Sequence, residues 1–306
     1  MLTQLTKHVW FELYPYAPAT YLAIRQGRAV LLEQSAKGDL CQTAISEHLS
    51  NMACAVWTTN KEFFLFANTS GKCQICDGHT FAVLDTIYLR YEPHSYTFVG
   101  LKDLFLFVDR NCRLNCYDCS TKAVTYVSDY KDIIAIRLWN QQLHIFKNDA
   151  YRPISKTKTI PKRDTSSLDL PIVVHDVPER LFLGLIHGKC KDRYGKKLVS
   201  LEYIPDGQGF REALAVLSPA TDTWETLLYI SRIESKNCGY FCGCDIDFQR
   251  GLLAVIFSRL AVVVDLKTMN ILQKQPIQYG SDILWMDDDR LLLATWNGLF
   301  LMTLEK

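Results

Sequence analysis

The chain has 306 residues, 48% of them hydrophobic and 12% aromatic, with a formal charge of +1. That is enough apolar matter for one large core, all-β or α/β, or for two ordinary ones. Its 15 glycines and 10 prolines exclude long low-complexity tracts, and its near-neutral total excludes a polyanion binder acting with its whole surface.

In chain order, the opening residues Met1 to His8 lack the charged-then-apolar plan of a secretory signal. Nowhere do roughly 18 apolar residues run together as a membrane-spanning helix requires. The 11 cysteines, an odd number, fit thiols in a reducing compartment better than a disulfide framework, so a cytoplasmic location is expected. Leu5–Trp10 reads as a strand, and a polar turn follows near Tyr14–Pro18. Cys41–Asn51 is the only weak helical stretch, one turn in a loop.

Next, Asn60-Lys-Glu62 leads into the apolar run Phe63-Phe-Leu-Phe-Ala67, which Asn68-Thr-Ser-Gly71 closes. A short aromatic-rich run between turn formers is a buried strand. The same plan returns 41 residues on, as Leu101-Lys-Asp103, Leu104-Phe-Leu-Phe-Val108 and Asp109-Arg-Asn111. A second landmark keeps that offset: Asp77-Gly-His-Thr80 before Val83, and Asp118-Cys-Ser-Thr121 before Val124. It recurs as Asp265-Leu-Lys-Thr268 before Ile271, and loosely as Ser218-Pro-Ala-Thr221 before Trp224. An Asp or Ser leaving a strand accepts hydrogen bonds from the backbone N–H groups of a hairpin turn, and Thr opens the next strand.

Polar turns before apolar strands fall near Tyr14–Pro18, Asn60, Leu101, Asn140, Pro178, Gln249 and Asp288. Their gaps are about 40 residues except the 71 from Pro178 to Gln249, which leaves room for one repeat and an insertion, placed around 187–212. Seven units of about 40 residues with four strands each are the plan of propeller blades. The last unit supplies only Ile283–Trp285, Leu291–Thr295 and Leu299–Thr303, so the N-terminal strand is expected to complete it and remove an open edge.

On these repeats the whole chain resembles the β-propeller superfamily, in the style of divergent WD-repeat and quinoprotein-like blades. The resemblance implies an all-β fold, a single β-propeller over 1–306 with seven four-stranded blades closed by the N-terminal strand. The chain departs from those patterns in lacking a Trp-Asp dipeptide and a Gly-Gly doublet, and Gly78-His79 stands in the wrong part of its unit. Phe81, Lys122 and Met269 occupy the place where quinoprotein blades have glycine after Thr.

Candidate chemistry is sparse. Cys73-Gln-Ile-Cys76 and Cys116-Tyr-Asp-Cys119 have zinc-like spacing, yet both fall on strands, where residues i and i+3 face opposite sides. They read as buried thiols, as do Cys242 and Cys244 beside their glycines. Asp245-Ile-Asp247 and Asp287-Asp-Asp289 read as solvated turns, and His175-Asp176 as part of a turn. No nucleotide loop or nucleophile elbow occurs, and neither a cofactor nor a metal is implied.

The basic region is the strongest lead. Lys147, Arg152, Lys156, Lys158, Lys162 and Arg163 oppose Asp149 alone, and Lys189, Lys191, Arg193, Lys196 and Lys197 oppose Asp192. These two segments carry +5 and +4, leaving −8 on the rest of the chain. The expected function is a non-enzymatic protein-interaction scaffold. It would bind an acidic protein partner through Lys156, Lys158, Lys162, Arg163, Lys189, Lys191, Arg193, Lys196 and Lys197, on loops of the fourth and fifth blades. Nucleic acid or an anionic membrane is the less favoured partner. The alternative is a propeller-type hydrolase or lactonase with its site in the central funnel. The expected innermost strands Ala55–Trp57, Thr97–Val99, Ile134–Ile136 and Leu284–Met286 are largely apolar, which favours the scaffold.

Overall fold

The computed structural model describes residues 1–36, 38–89, 93, 97–127, 132–148, 168, 170–177, 190–205, 207, 209–218, 221, 223–234 and 236–305. Over these the chain is all-β, with helix confined to short 3-10 turns such as Ile230–Arg232. Strand β1 (Leu2–Thr6) is followed by a meander of β2 (Trp10–Ala17), β3 (Thr20–Arg25), β4 (Arg28–Gln34) and β5 (Leu40–Ile45). A second meander joins β6 (Met52–Trp57), β7 (Phe63–Asn68), β8 (Lys72–Asp77) and β9 (Val83–Tyr88). A third joins β10 (Phe98–Gly100), β11 (Leu104–Val108), β12 (Leu114–Asp118) and β13 (Ala123–Tyr126).

The fourth sheet departs from the plan. β14 (Ile133–Trp139) and β15 (Gln142–Lys147) form a hairpin, and β16 (Ile172–Asp176) joins β15 in parallel. The short β17 (Cys190–Asp192) comes next, then the sheet β18 (Val199–Pro205), β19 (Phe210–Ser218) and β20 (Thr223–Tyr229). The sixth sheet is β21 (Phe241–Asp247), β22 (Leu252–Phe257), β23 (Leu260–Asp265) and β24 (Ile271–Pro276), with β17 added in parallel beside β21. The seventh is β25 (Gly280–Trp285), β26 (Arg290–Thr295) and β27 (Gly298–Thr303), completed by β1 antiparallel to β27. These seven sheets are the blades of a seven-bladed β-propeller. The N-terminal closing strand is there, over Leu2–Thr6 rather than Leu5–Trp10.

The chain divides into two compact units, Met1–Ile45 with Lys189–Lys306, and Ser46–Gly188. The first contains the sheets β2–β5, β18–β20, β21–β24 with β17, and β25–β27 with β1. The second contains β6–β9, β10–β13 and β14–β16. In both, the middle strands are apolar without interruption: Phe64, Leu65, Phe66 and Ala67 of β7 and Leu253 to Phe257 of β22 are all buried. Such strands are covered on both faces. The last strand of a blade is covered on one, and β24 duly alternates half-buried and exposed residues.

The Asp turns have the chemistry read from the sequence. Asp77 Oδ1 accepts the N–H groups of His79 at 3.0 Å and Thr80 at 2.7 Å. Asp118 does the same for Ser120 and Thr121, and Asp265 for Lys267 and Thr268. These hydrogen bonds hold Asp77 and Asp265 below the ordinary carboxylate range. The residue after each Thr is left-handed: φ is 59° at Phe81, 55° at Lys122 and 60° at Met269. The turn therefore keeps the geometry that glycine provides in related blades, at the steric cost of a Cβ. Between sheets, Gly100 lies so close to the second blade that a Cβ on it would stand 1.8 Å from the Trp57 carbonyl oxygen.

Three expectations are corrected. Cys41–Ile45, the first half of the weak helical stretch, belong to strand β5, because they continue the β4 ladder. The expected turn near Pro178 lies outside the described residues, and the expected insertion around 187–212 holds β17, β18 and the turn between Pro205 and Phe210. Val199–Pro205 and the start of β19, placed in an insertion, are thus strands of the sheet β18–β20. His175 is a buried strand residue, its ring stacked on His144 at 5.0 Å and on Phe146 at 4.9 Å.

Candidate functional site

β17 is three residues long, and it organises the basic region. Cys190, Lys191 and Asp192 stand in register with Cys244, Asp245 and Ile246 of β21. The Arg193 N–H continues the ladder to the Ile246 carbonyl at 2.9 Å. First strands of propeller blades face the axis, so β17 is an extra strand on the axial side of its sheet.

Lys191 binds inward. Its Nζ lies 2.5 Å from Asp282 Oδ1 on β25 and 3.4 Å from the Leu13 carbonyl on β2. Asp282 is itself fixed, accepting the Leu13 N–H at 2.9 Å and the Ile283 N–H at 2.8 Å. Beside them Asp245 is fully buried, and its Oδ2 accepts the Trp285 N–H at 2.8 Å while the Trp285 indole donates to the Asp245 carbonyl at 3.0 Å. Among the described residues Asp245 Oδ1 has no hydrogen-bond partner. Burial is the main cause that pushes its carboxyl up to about 7; Lys191 and the Trp285 N–H pull the other way, and the Asp282 and Asp192 charges add to the rise.

Arg193 also turns inward, to Asp247 Oδ2 at 2.7 Å and Asp288 Oδ1 at 2.9 Å. Arg250 shares Asp247 Oδ2 at 2.7 Å, and its guanidinium lies 4.7 Å from the Trp285 ring centre. Burial opposes the Asp247 charge, but the bonds from Arg250 and Arg193 outweigh it and hold the carboxyl below its ordinary value. Asp245 and Asp247 are therefore not a solvated turn: both are buried. Lys191 and Arg193 from a distant segment, with the nearby Arg250, compensate them, a pairing that i, i+2 spacing alone does not display. Asp287–Asp289 does lie in the β25–β26 connection, as read.

Beyond Arg193 the chain faces solvent. Asp192 accepts the N–H groups of Lys196 at 2.7 Å and Lys197 at 2.8 Å, and more weakly that of Tyr194 at 3.3 Å. Gly195, at φ 64°, makes the turn. Tyr194 is 40% exposed, with Arg193 at 5.1 Å and Lys196 at 5.9 Å from its ring centre. Lys197 lies 4.1 Å from the Phe248 ring centre. The result is an exposed basic loop around one aromatic ring, locked by a single carboxylate.

Of the nine basic residues singled out in the sequence, the fold thus brings Lys191, Arg193, Lys196 and Lys197 onto one strand and its loop. Lys191 and Arg193 are tied to buried carboxylates, and Lys196 and Lys197 are exposed. Lys156, Lys158, Lys162, Arg163 and Lys189 lie outside the described residues. The cysteine pairs sit on or beside strands β8 and β12. Burial pushes the thiols of Cys73, Cys76 and Cys119 up to about 12, which keeps them protonated and unreactive near neutrality. Among the described residues no three His, Cys, Asp or Glu side chains assemble as a metal requires, and no helix is long and apolar enough to cross a membrane.

No protein-family profile matches the chain, and no characterised protein matches it in sequence. Solved structures do. Hydrazine synthase of Kuenenia stuttgartiensis is similar over 98% of this chain and 97% of its own, with a TM-score of 0.59 at 11% identity. The C-terminal WD40 domain of Sif2 covers 100% of this chain and 99% of its own, with a TM-score of 0.55 at 11% identity. BamB from Moraxella catarrhalis covers 100% and 98%, with a TM-score of 0.55 at 10% identity. At such identities the likeness is one of fold, and that fold is the β-propeller.

Proposed function

We propose that the chain is a protein-interaction scaffold that binds an acidic partner through the basic loop after β17. One observation carries this reading. Tyr194, Lys196 and Lys197 are held exposed on a loop that Asp192 has already ordered, so binding there forfeits little conformational entropy. Lys156, Lys158, Lys162, Arg163 and Lys189 extend the same basic region in sequence. The likeness to a WD40 domain and to BamB supports a rigid propeller presenting loops to a protein partner. Lys191 and Arg193 anchor the loop from within, which assigns them to positioning rather than contact.

The test is affinity capture from native extract with the wild type and a Lys196→Glu, Lys197→Glu double variant. A captured protein is then purified and titrated against both forms at low and moderate salt. The reading expects one acidic protein whose affinity falls at least about tenfold in the variant and weakens with salt. Equal affinity of the two forms for every captured protein would refute it.

A further inference from the structure

At the opposite end of the same blades lies a surface of different character. Within the first unit, β2, β21 and β25 begin at this end, and the turns β3–β4, β22–β23 and β26–β27 return to it. Neighbouring blades are joined there: Ser281 Oγ donates to the Phe11 carbonyl at 2.7 Å, and the Gly280 N–H to the Ser258 carbonyl at 2.9 Å. Three aromatic rings from three chain segments meet on it. Tyr279 stacks on Trp296 at 5.9 Å and 10°, and Phe11 meets the same indole edge-on at 6.4 Å.

They meet in solvent: Trp296 is 50% exposed and Tyr279 57%. A core-forming cluster would bury these rings, and clustered exposed Trp and Tyr are the composition of interface hot spots. Hydrogen bonds tie the connections below them together. Asn297 Nδ2 donates to Gln278 Oε1 at 3.3 Å, and Gln4 Nε2 donates to the Asn297 carbonyl at 3.0 Å.

Charge defines the partner. The connections that carry or adjoin the three rings, residues 7–9, 26–27, 258–259, 277–279 and 296–297, contain no Asp or Glu, while Glu234 stands in the β20–β21 connection. They bring the exposed Lys7 and Arg259, and Arg25 stands at the end of β3. The other end of the same sheets carries Asp39, Asp265 and Asp287 to Asp289. An aromatic patch whose own connections carry cations and no carboxylates complements an apolar side chain flanked by acidic ones.

From this juxtaposition we infer that the Phe11–Tyr279–Trp296 patch docks a peptide segment of a partner protein, one carrying an aromatic or large aliphatic residue beside Asp or Glu. The surface is separate from the Tyr194 loop and is carried by different residues.

The experiment presents the full chain to a phage-displayed library of random linear peptides. An enriched peptide is then synthesised and titrated by fluorescence anisotropy against the wild type, Trp296→Ala, Arg259→Glu, and the Lys196→Glu, Lys197→Glu variant. Both Trp296 and Arg259 are exposed, so the variants are expected to fold, as circular dichroism will check. The inference expects enriched peptides with an aromatic or aliphatic residue next to carboxylates. It expects affinity to fall at least about tenfold with Trp296→Ala and several-fold with Arg259→Glu, and to be unchanged in the Lys196, Lys197 variant.

A selection without that signature, or binding indifferent to Trp296→Ala, overturns it. Binding lost only in the Lys196, Lys197 variant also overturns it, while leaving the basic-loop reading intact. Sedimentation with phosphatidylserine vesicles that depends on Trp296, with no peptide bound, would overturn it in favour of a lipid surface.

Discussion

Asp245→Asn isolates the buried carboxyl beside Lys191. The side chain is fully buried, and its carboxyl is raised from an ordinary 3.8 to about 7 in the fold. A raised acid binds a proton more tightly when folded, so its contribution to stability is complete below the unfolded value. It is lost as the pH climbs through the folded one. The full swing is roughly 4 kcal/mol, and between about pH 5 and pH 8 it is about 2.6 kcal/mol. Asparagine keeps an oxygen to accept the Trp285 N–H and cannot titrate, so the variant lacks this dependence. All other titrating groups are common to both proteins. Guanidinium denaturation followed by tryptophan fluorescence, at both pH values, measures the difference. The variant should gain about 2.6 kcal/mol on the wild type from pH 5 to pH 8. Stability curves that stay parallel within about 0.5 kcal/mol would show that Asp245 is charged throughout, held as an ion pair by Lys191, and would refute the reasoning.

Other substitutions probe the frame around the sites. Lys191→Met removes the cation from Asp282, whose side chain is 4% exposed; a loss of about 3–5 kcal/mol is expected, and less than about 1 kcal/mol would mean the pair is immaterial. Gly100→Ala forces a Cβ against the Trp57 carbonyl oxygen at 1.8 Å, so a melting experiment should show the variant destabilised by about 2 kcal/mol or more. Lys122→Gly should act the other way. It relieves a left-handed residue at φ 55° on an exposed turn, and a rise of roughly 0.5–1 kcal/mol in chemical denaturation is expected. No change would mean the flexibility that glycine adds to the unfolded chain cancels the relief.

The repeat was legible because it rests on local chemistry. Apolar runs such as Phe63–Ala67 and Leu104–Val108 declare themselves as strands, and Asp77, Asp118 and Asp265 mark their turns by hydrogen bonds spanning two or three residues. A spacing of about 40 residues, with one gap of 71 read as a repeat plus an insertion, then yields seven blades without knowledge of any contact between them. The basic region was also visible as composition, and so were the apolar first strands β6, β10 and β14. The missing glycines at Phe81, Lys122 and Met269 were noticed as departures, although only backbone angles show that these residues take up the left-handed conformation themselves.

What tertiary structure decided is which charges face water. Lys191 and Asp282 are 91 positions apart and Arg193 and Asp247 are 54, and no local pattern links them. That β17 would pair in parallel with β21 follows from a vacant ladder edge, which exists only once the blade is built. The pairing carries two of the predicted contact residues inward and projects Lys196 and Lys197 outward. The Phe11, Tyr279 and Trp296 cluster was silent for the same reason: its rings come from strand β2 and two separate connections, each an ordinary single aromatic until folding sets them side by side. A chain's own residues determine strands and turns through neighbours in sequence. Surfaces and buried charges depend on neighbours in space, because burial and Coulombic pairing act across whatever distance in sequence the fold has closed.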